Sequence, residues 1–220
     1  MCGGIASVID GPNVSRGTKP TQSQIQALEP HFSKLDQYAQ ILIEDGVKLG
    51  LIGPREVDRI WDRHILNCAA ISELITDGQS IIDIGSGAGL PGLVLAILNP
   101  NSKVTLIEPM QRRCDFLTQT VQKLDLKNIS ILKDRAENVS TQAQVVTSRA
   151  VAPLNKLLEW SLSLVLKNGK VLAIKGEKAN DELLQAKLEI PALKNMTATI
   201  KSCGRALDLN VTVVEVIKEG

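Results

Sequence analysis

Residues 81–92 have the sequence IIDIGSGAGLPG, in which a short apolar run gives way to alternating glycines. An apolar run of this length is typical of a buried strand in a parallel sheet. Glycines directly after a strand let the backbone turn sharply and pass close to a ligand. Pro91 suits the first turn of a helix, and a helical apolar pattern begins at Leu93. Because a helix start offers unpaired N–H groups, the stretch predicts a strand, a ligand-binding loop and a helix.

The glycine loop has two interpretations, each with a different cofactor. The glycines from Gly87 to Gly92 fit the G-x-G-x-x-G pattern of dinucleotide-binding folds, but that pattern places its first glycine at the strand end, where Gly85 already lies. The other interpretation is Asp83 followed by a glycine at every second position. This arrangement resembles the first motif of Rossmann-like S-adenosylmethionine (SAM) methyltransferases. The loop alone favours SAM, and it leaves open both a dinucleotide and a glycine turn without a ligand.

Composition limits the other function classes. The chain has 220 residues, of which 44% are hydrophobic, and this is enough for one α/β domain with its own core. Aromatic residues make up only 2%, which disfavours base stacking on aromatic side chains. The formal net charge of +1 provides no general attraction for nucleic acid. Any contact with RNA therefore depends on a local basic patch.

The four cysteines are widely spaced, and no C-x-x-C pair is present. We therefore expect reduced thiols and no metal site, as in a cytoplasmic protein. No apolar run reaches transmembrane length and the first residues lack a leader pattern, so we expect a cytoplasmic chain that does not contact a membrane. We also expect a monomer.

Three regions follow from the pattern along the chain. Residues 1–20 contain turn-forming residues without periodicity, and they predict a disordered tail. Residues 21–78 form a predicted helical extension, with one amphipathic helix from Ser23 to Gly50 and a second from about Arg55. Residues 79–220 form the predicted cofactor-binding domain, and we expect it to make one compact unit with the extension.

Strand-like and helix-like segments alternate from residue 80 onwards. The strands predicted before the last helix are Ser80–Ile84, Lys103–Ile107, Ile129–Leu132, a run beginning at Val145, and Val171–Ile174. Two further strands, Thr197–Cys203 and Val211–Ile217, have no helix between them and predict a hairpin. The pattern indicates an α/β fold with a mostly parallel seven-stranded sheet that ends in an antiparallel hairpin. Such a hairpin is typical of class I SAM-dependent methyltransferases rather than of dinucleotide-binding enzymes.

Charged residues follow several predicted strands, at the sheet edge where ligands of α/β proteins bind. Asp83, Glu108, Arg149 and Lys175 each lie at such a strand end. Glu108 is placed to accept hydrogen bonds from both ribose hydroxyls of a cofactor. Because NAD enzymes carry an acid at the same place, Glu108 alone does not distinguish the two cofactors.

Several motifs together resemble the RsmG (GidB) family of bacterial small-subunit ribosomal RNA methyltransferases. They are Asp83–Gly92, Arg135–Glu137, Ser148–Ala152, Lys175–Gly176 and Arg63–Leu66, and the resemblance covers about residues 25–180. It implies cofactor contacts at Gly85, Leu90, Ala136, Glu137 and Arg149. Asp83 and Gly87 of the loop and the ribose-binding Glu108 complete the candidate SAM site.

The resemblance also implies a reaction, the methylation of guanosine N7 in the decoding-region loop of 16S rRNA. Guanine N7 carries a lone pair and no proton, so no general base and no metal are expected. Arg149 is expected to act by positioning. Recognition is expected to depend on RNA shape, within the small ribosomal subunit or an assembly intermediate.

Seven residues are candidates for RNA contact: Arg55, Arg59, Arg63, His64, Arg112, Arg113 and Lys175. The arginines at 55, 59 and 63 are four residues apart and would share one face of an α-helix, which is either an RNA-binding ridge or a solvated face paired with acids. His64 lies on the apolar face, where a buried core histidine is the simpler interpretation.

Two segments depart from the family pattern, Asn67-Cys68 and Val47–Pro54, and both are expected to lie outside the cofactor pocket. Three other functions stay open at this point: a methyltransferase with a different substrate, an NAD(P)-linked oxidoreductase, and a non-catalytic RNA-binding module.

Overall fold

A single sheet of seven strands lies at the centre of the computed structural model, which describes residues 19–149 and 151–219. The strands are β1 (Ile81–Ile84), β2 (Val104–Ile107), β3 (Ile129–Leu132), β4 (Ala143–Arg149), β5 (Val165–Ile174), β6 (Thr197–Cys203) and β7 (Val211–Ile217). Their order is β3-β2-β1-β4-β5-β7-β6, and β7 alone is antiparallel to its neighbours on both sides. The predicted α/β fold with a terminal hairpin is confirmed. The predicted tail lies outside the described residues, apart from positions 19 and 20.

Alternation along the strands gives the sheet two hydrophobic faces. In β1, Ile81 packs into one core, whereas Ile82 and Ile84 pack into the other. The same alternation occurs in β7, where Val213 and Val214 belong to opposite cores. Because successive side chains of a strand point to opposite faces, both faces must be covered by helices.

Seven α-helices surround the sheet within the described residues. They are α1 (Gln22–Ala27), α2 (Phe32–Ile41), α3 (Leu66–Ala70), α4 (Gly92–Leu98), α5 (Gln111–Lys123), α6 (Leu154–Leu164) and α7 (Ala179–Glu189). Most buried residues of α2, α3, α4 and α5 belong to the larger core, and most of those of α6 and α7 belong to the smaller one. The helices thus lie on both faces of the sheet.

The first predicted helix is divided in the structure. A capping box between Thr21 and Gln24 starts α1, which ends before Pro30. Proline has no N–H to donate and restricts the residue before it, so the helix cannot run through this point. The chain resumes as α2 and then continues as a π-helical turn, Leu42–Gly46.

The second predicted helix is also different from the expectation. Residues Pro54–Arg59 form a 3₁₀ helix and Ile60–Ile65 form a π-helical turn before α3 begins. Ile60, Trp61 and Ile65 are all buried, a spacing of one and then four residues. The wider turn of a π-helix brings residues at this spacing to one face, and such turns are frequent at functional sites.

The helical region before residue 79 is packed directly onto the sheet domain. Leu35 and Tyr38 of α2 share the larger core with Leu93 of α4, and all three are fully buried. At the far end, the Glu73 carboxylate accepts hydrogen bonds from the backbone N–H groups of Gly204 and Ala206, at 2.9 and 3.1 Å. This carboxylate fixes the connection between β6 and β7 to the helical region.

No helix in the described part of the chain is long and apolar enough to cross a membrane. Across the same residues, histidines, cysteines and carboxylates do not gather in a group of three that could hold a metal ion.

Substitution of Gly92 tests how closely β1 and α4 are packed. A Cβ atom at this position would lie 2.3 Å from Cδ2 of Leu106 and 2.7 Å from Oδ2 of Asp83. We expect Gly92→Ala to lower the free energy of unfolding by about 1–3 kcal/mol, measured by urea denaturation, because the packed neighbours must shift. Gly176→Ala is the matched control, since no atom lies within 4 Å of its Cβ. Equal unfolding midpoints for the two variants would contradict this packing argument.

Candidate active site

The glycine loop between β1 and α4 has a backbone that side chains would not allow. Gly85, Gly87 and Gly89 have φ angles of +65°, +57° and +97°, in the left-handed region that favours glycine. A Cβ at Gly89 would also lie 2.3 Å from Cδ1 of Leu93 and 2.9 Å from the hydroxyl oxygen of Tyr38. The loop conformation therefore depends on glycine for both backbone and space.

Asp83 holds the two ends of this loop together from inside the protein. Its Oδ2 accepts a hydrogen bond of 2.9 Å from the N–H of Gly92, and Oδ1 has no hydrogen-bond partner among the described residues. The side chain has no solvent exposure. Burial raises the pKa of Asp83 to about 7, while the hydrogen bond from Gly92 acts in the opposite direction. The sequence predicted a cofactor contact here, whereas the carboxylate faces the backbone of its own loop.

Tyr38 connects the helical region to the loop. Its hydroxyl donates a hydrogen bond of 2.7 Å to the carbonyl oxygen of Ala88, and the side chain is fully buried. Burial raises the pKa of Tyr38 well above its usual value, so the phenol keeps the proton that it donates. The sequence analysis did not identify Tyr38. A tyrosine hydroxyl next to the apolar face of a predicted helix could have indicated it, because a buried hydroxyl needs a hydrogen-bond partner.

Glu108 follows β2 and is almost completely enclosed. One oxygen, Oε2, accepts from the Gly87 N–H at 3.0 Å and from the Arg113 guanidinium at 3.4 Å, and Oε1 accepts from the Met110 N–H at 3.0 Å. The residue is only 1% exposed. A carboxylate accepts about four hydrogen bonds, so one position is left for a further donor. The expected contact of Glu108 with the ribose hydroxyls of a cofactor stays a prediction.

A cleft of about 620 Å³ lies beside the loop at the carboxyl ends of the strands. Its walls come from the glycine loop, from the helical region, and from the ends of β4 and β5. The lining residues are Leu51, Ile52, Gly53, Glu56, Arg63, His64, Asn67, Gly85, Ser86, Gly87, Ala88, Leu90, Arg149, Ile174, Lys175 and Gly176. This is the sheet edge where α/β proteins bind ligands.

Arg149 joins the end of β4 to the helical region across this cleft. Its guanidinium donates to the backbone carbonyl of Arg63 at 3.2 Å and lies 2.9 Å from Nδ1 of His64. The other ring nitrogen of His64, Nε2, is 3.0 Å from Oε2 of Glu56. Burial and then the Arg149 charge lower the pKa of His64, against the effect of Glu56. The predicted positioning residue Arg149 is therefore itself held by two neighbours.

Lys175 lies at the end of β5 with a largely buried ammonium group. Its Nζ is 2.8 Å from Oε2 of Glu182 and donates to the Ala152 carbonyl at 3.2 Å. The same oxygen of Glu182 accepts the backbone N–H of Leu154 at 3.0 Å. The predicted RNA contact thus has an ion pair inside the protein, where it joins β5 to α6 and α7.

The other predicted RNA contacts are dispersed. Arg63 and His64 line the cleft, whereas Arg55 is exposed on the 3₁₀ helix. Arg59 forms an exposed pair with Asp62 at 3.3 Å. Arg112 is exposed on the first turn of α5, and its neighbour Arg113 contacts Glu108. The predicted ridge of three arginines on one α-helical face is wrong, because a 3₁₀ helix and a π-helical turn replace that helix.

Four of the predicted cofactor contacts do not line the cleft, namely Asp83, Glu108, Ala136 and Glu137. Ala136 and Glu137 belong to a 3₁₀ turn, Ala136–Asn138, after β3. Ala136 is buried in the smaller core, and Glu137 is exposed. Neither residue lines the cleft beside the glycine loop.

Both segments that depart from the family pattern reach the cleft, contrary to the sequence-based expectation. Asn67 lines it, as do Leu51, Ile52 and Gly53. Asn67 follows Arg63 by four residues, and this spacing was a signal that the two could share a face. Asn67 therefore belongs to the candidate site.

A mostly parallel sheet with a terminal antiparallel hairpin, and a glycine loop beside a cleft at its carboxyl edge, define a Rossmann-like methyltransferase. The model of the GidB family, rRNA small subunit methyltransferase G, matches residues 31–212. The chain belongs to this family, and the resemblance noted in the sequence is confirmed.

Curated relatives agree with this assignment, and a solved structure shares the fold. The chain is 50% identical over 183 residues to ribosomal RNA small subunit methyltransferase G of Thermobifida fusca, covering 82% of this chain and 77% of the relative. It is 44% identical over 201 residues to the protein of the same name from Mycolicibacterium gilvum, covering 89% and 88%. A SAM-dependent O-methyltransferase from Thermotoga maritima shares the fold, with a TM-score of 0.52 and 15% identity over 68% of this chain and 63% of that one.

The buried Asp83 carboxylate predicts an unusual pH dependence of stability. The folded protein keeps this proton up to pH about 7, whereas the unfolded chain releases it near the ordinary value of 3.8. The folded state therefore binds more protons in this window, and its stability falls as the pH rises through it. Asp83→Asn keeps an acceptor for Gly92 but has no proton to lose. We expect the stability of the variant relative to the parent to rise by roughly 2–4 kcal/mol between pH 4 and 8, measured by urea denaturation.

Asp181→Asn is the control for this measurement, because Asp181 is an exposed carboxylate on α7. Its stability relative to the parent should stay nearly constant over the same pH range. Parallel pH curves for the parent and Asp83→Asn would show that the buried carboxyl does not hold its proton.

Proposed function

We propose that this chain is a SAM-dependent methyltransferase that acts on N7 of a guanosine in the decoding-region loop of 16S rRNA. The observation that carries the proposal is the cleft in which the glycine loop faces Arg149 and His64 at the carboxyl edge of the sheet. Membership of the rRNA small subunit methyltransferase G family supports the substrate class. The substrate would place the activity in the cytoplasm.

The residues beside the cleft fit SAM as the cofactor. Gly85 and Gly87 give the loop a wall without side chains, against which the amino-acid end of SAM can lie. Glu108 and the turn that carries Ala136 and Glu137 do not line the cleft, so their proposed contacts with a ribose hydroxyl and with the adenine edge would extend the SAM site beyond it. SAM would supply a methyl group that its sulfonium centre already activates.

The chain itself has little acid–base chemistry to perform. Guanine N7 has an exposed lone pair and no proton, so its methylation requires no general base. In agreement with this, both ring nitrogens of His64 are engaged, by Arg149 and by Glu56. The protein contributes by aligning N7 with the methyl group and by excluding water from the cleft.

Arg149 is the residue that we assign to alignment. A guanidinium cannot assist the transfer of a cationic methyl group by its charge, but it recognises phosphate or the O6 edge of guanine by paired hydrogen bonds. Its attachment to Arg63 and His64 limits where these donors point.

Recognition of the RNA is proposed to depend on shape. The net charge is only +1, and Arg59, Arg63, Arg113 and Lys175 are already paired with carboxylates. The exposed Arg55 and Arg112 add only local charge. We therefore expect a folded RNA, within the small subunit or an assembly intermediate, to be a better substrate than a short hairpin.

Mapping of N7-methylguanosine tests the proposed function. Borohydride and aniline cleave rRNA at this base, and reverse transcription locates the cleavage. We expect one site in the decoding region to lose the modification when the gene is deleted, and to regain it with the parent gene. An unchanged modification pattern in the deletion strain would refute the proposed substrate.

Arg149→Ala tests the alignment role. We expect at least tenfold slower methyl transfer to the isolated small subunit, because the lost guanidinium held the target base or its phosphate. Arg205→Ala, an exposed arginine on the turn before β7, is the matched control and should keep the parental rate. Wild-type rate and SAM affinity in Arg149→Ala would remove the basis for this role.

Tyr38→Phe tests whether the helical region shapes the cofactor loop. The substitution keeps the buried ring but leaves the carbonyl of Ala88 without its donor. We expect SAM binding to weaken about five- to tenfold by calorimetry, which corresponds to roughly 1–1.4 kcal/mol. The KM for rRNA should change little. An equal loss of affinity for both substrates would indicate a general folding defect instead.

A further inference from the structure

The side chains of Glu56, His64 and Arg149 form a continuous hydrogen-bonded chain along one wall of the cleft. Arg149 reaches Nδ1 of His64 at 2.9 Å, and Nε2 of His64 reaches Oε2 of Glu56 at 3.0 Å. The second oxygen of Glu56 pairs with the guanidinium of Arg63 at 2.8 Å. The His64 side chain is only 12% exposed, so most of its ring surface is covered.

The chemistry of these partners fixes the proton on the ring. A guanidinium is always a donor, so Nδ1 of His64 must accept from Arg149. The remaining nitrogen, Nε2, must then carry the hydrogen, which it donates to the Glu56 carboxylate. A doubly protonated ring would lose its acceptor and would place a second cation beside Arg149.

The charges around His64 favour the same state. Arg149 approaches from β4, whereas Glu56 and Arg63 approach from the segment before α3, and Lys175 lines the same cleft from β5. Burial and the Arg149 charge lower the pKa of His64, and Glu56 raises it. Only one of the four neighbouring charges is negative.

We propose that His64 is a positioning residue, which holds the Arg149 guanidinium toward the substrate through an Nε2–H tautomer set by Glu56. His64 therefore acts through Arg149 and does not itself contact RNA. Two donors of Arg149 are used on Arg63 and His64, which leaves the rest of its donors for the cleft. The inference rests on the proposed role of Arg149 in the methyl-transfer reaction.

Two amide substitutions separate the functions of the ring nitrogens. In His64→Asn the amide lies near the position of Nδ1, so it can still accept from Arg149. In His64→Gln the amide lies near the position of Nε2, so it can reach Glu56 but leaves Arg149 without its acceptor. We expect kcat for methylation of the small subunit to be at least tenfold higher in His64→Asn than in His64→Gln, with a similar KM for RNA. An increase in the KM for RNA at unchanged kcat would instead identify His64 as a direct RNA contact.

The pH profile gives a second, independent measurement. Protonation of His64 removes the acceptor for Arg149, so kcat of the parent should fall on the acidic side, with a midpoint below 6.5. Glu56→Gln keeps an acceptor for Nε2–H but removes the carboxylate that raises the pKa of His64. We expect this variant to move the acidic midpoint to lower pH. An unmoved or raised midpoint would overturn the proposal.

The only other histidine in the sequence, His31, provides the matched control. It lines a separate pocket with Pro30, Lys34 and Asn128, so His31→Asn should keep the acidic midpoint of the parent. If His31→Asn lost the acidic midpoint of kcat, the midpoint would belong to His31, and the proposal for His64 would be wrong. Thermal unfolding of every variant shows whether a lost activity reflects a lost fold.

The tautomer can be observed without any activity. In ¹⁵N-histidine NMR spectra of the full-length protein near neutral pH, we expect His64 to show a protonated Nε2 and an unprotonated Nδ1. A protonated Nδ1 would refute the positioning role even if the protein methylates rRNA. A protein with this tautomer but without rRNA methylation would refute the proposed function and leave the local geometry intact.

Discussion

The hydrogen bond from the N–H of Gly92 to the buried carboxylate of Asp83 is the constraint on which the site depends. At 2.9 Å it joins the end of β1 to the start of α4, and so it closes the loop that runs between them. The bond requires a residue without a Cβ at 92, because Leu106 and Asp83 fill the space that a side chain would need. The carboxyl group that accepts this hydrogen bond is fully buried, and burial disfavours its charged form. The loop conformation is therefore stabilised by a hydrogen bond to a carboxyl group whose burial is itself unfavourable.

The helical region before the sheet completes the site. Tyr38 holds the carbonyl of Ala88 in the loop, and the backbone of Arg63 together with His64 holds Arg149 at the end of β4. Without these contacts the cleft would lack one wall, since seven of its lining residues lie in the range from Leu51 to Asn67. The region therefore positions both the loop and the arginine, and it cannot be treated as a peripheral addition to the sheet domain.

Sequence patterns predicted the sheet more accurately than the helices in front of it. Strands β3, β6 and β7 have the bounds that the strand-like runs of the sequence predicted. The segment from residue 54 to 65 was predicted as an α-helix, but tertiary packing of Ile60, Trp61 and Ile65 selected a π-helical turn. Glu108 and Lys175 were located at strand ends, although their partners were not, since Arg113 and Glu182 reach them from other elements. The sequence analysis placed Asn67 outside the pocket because the residue departs from the family pattern. Such a departure does not show how far a residue lies from the pocket.

The strand order has a consequence for the order in which the sheet can form. Because β7 lies between β5 and β6, the edge strand β6 has no neighbour in the sheet until residues Val211–Ile217 arrive. Pairing of β5 with β7 spans a long stretch of chain, and such non-local pairing forms slowly. One side of the folding sheet therefore stays unpaired until residues Val211–Ile217 are in place, and an unpaired sheet edge is a template for association with other chains.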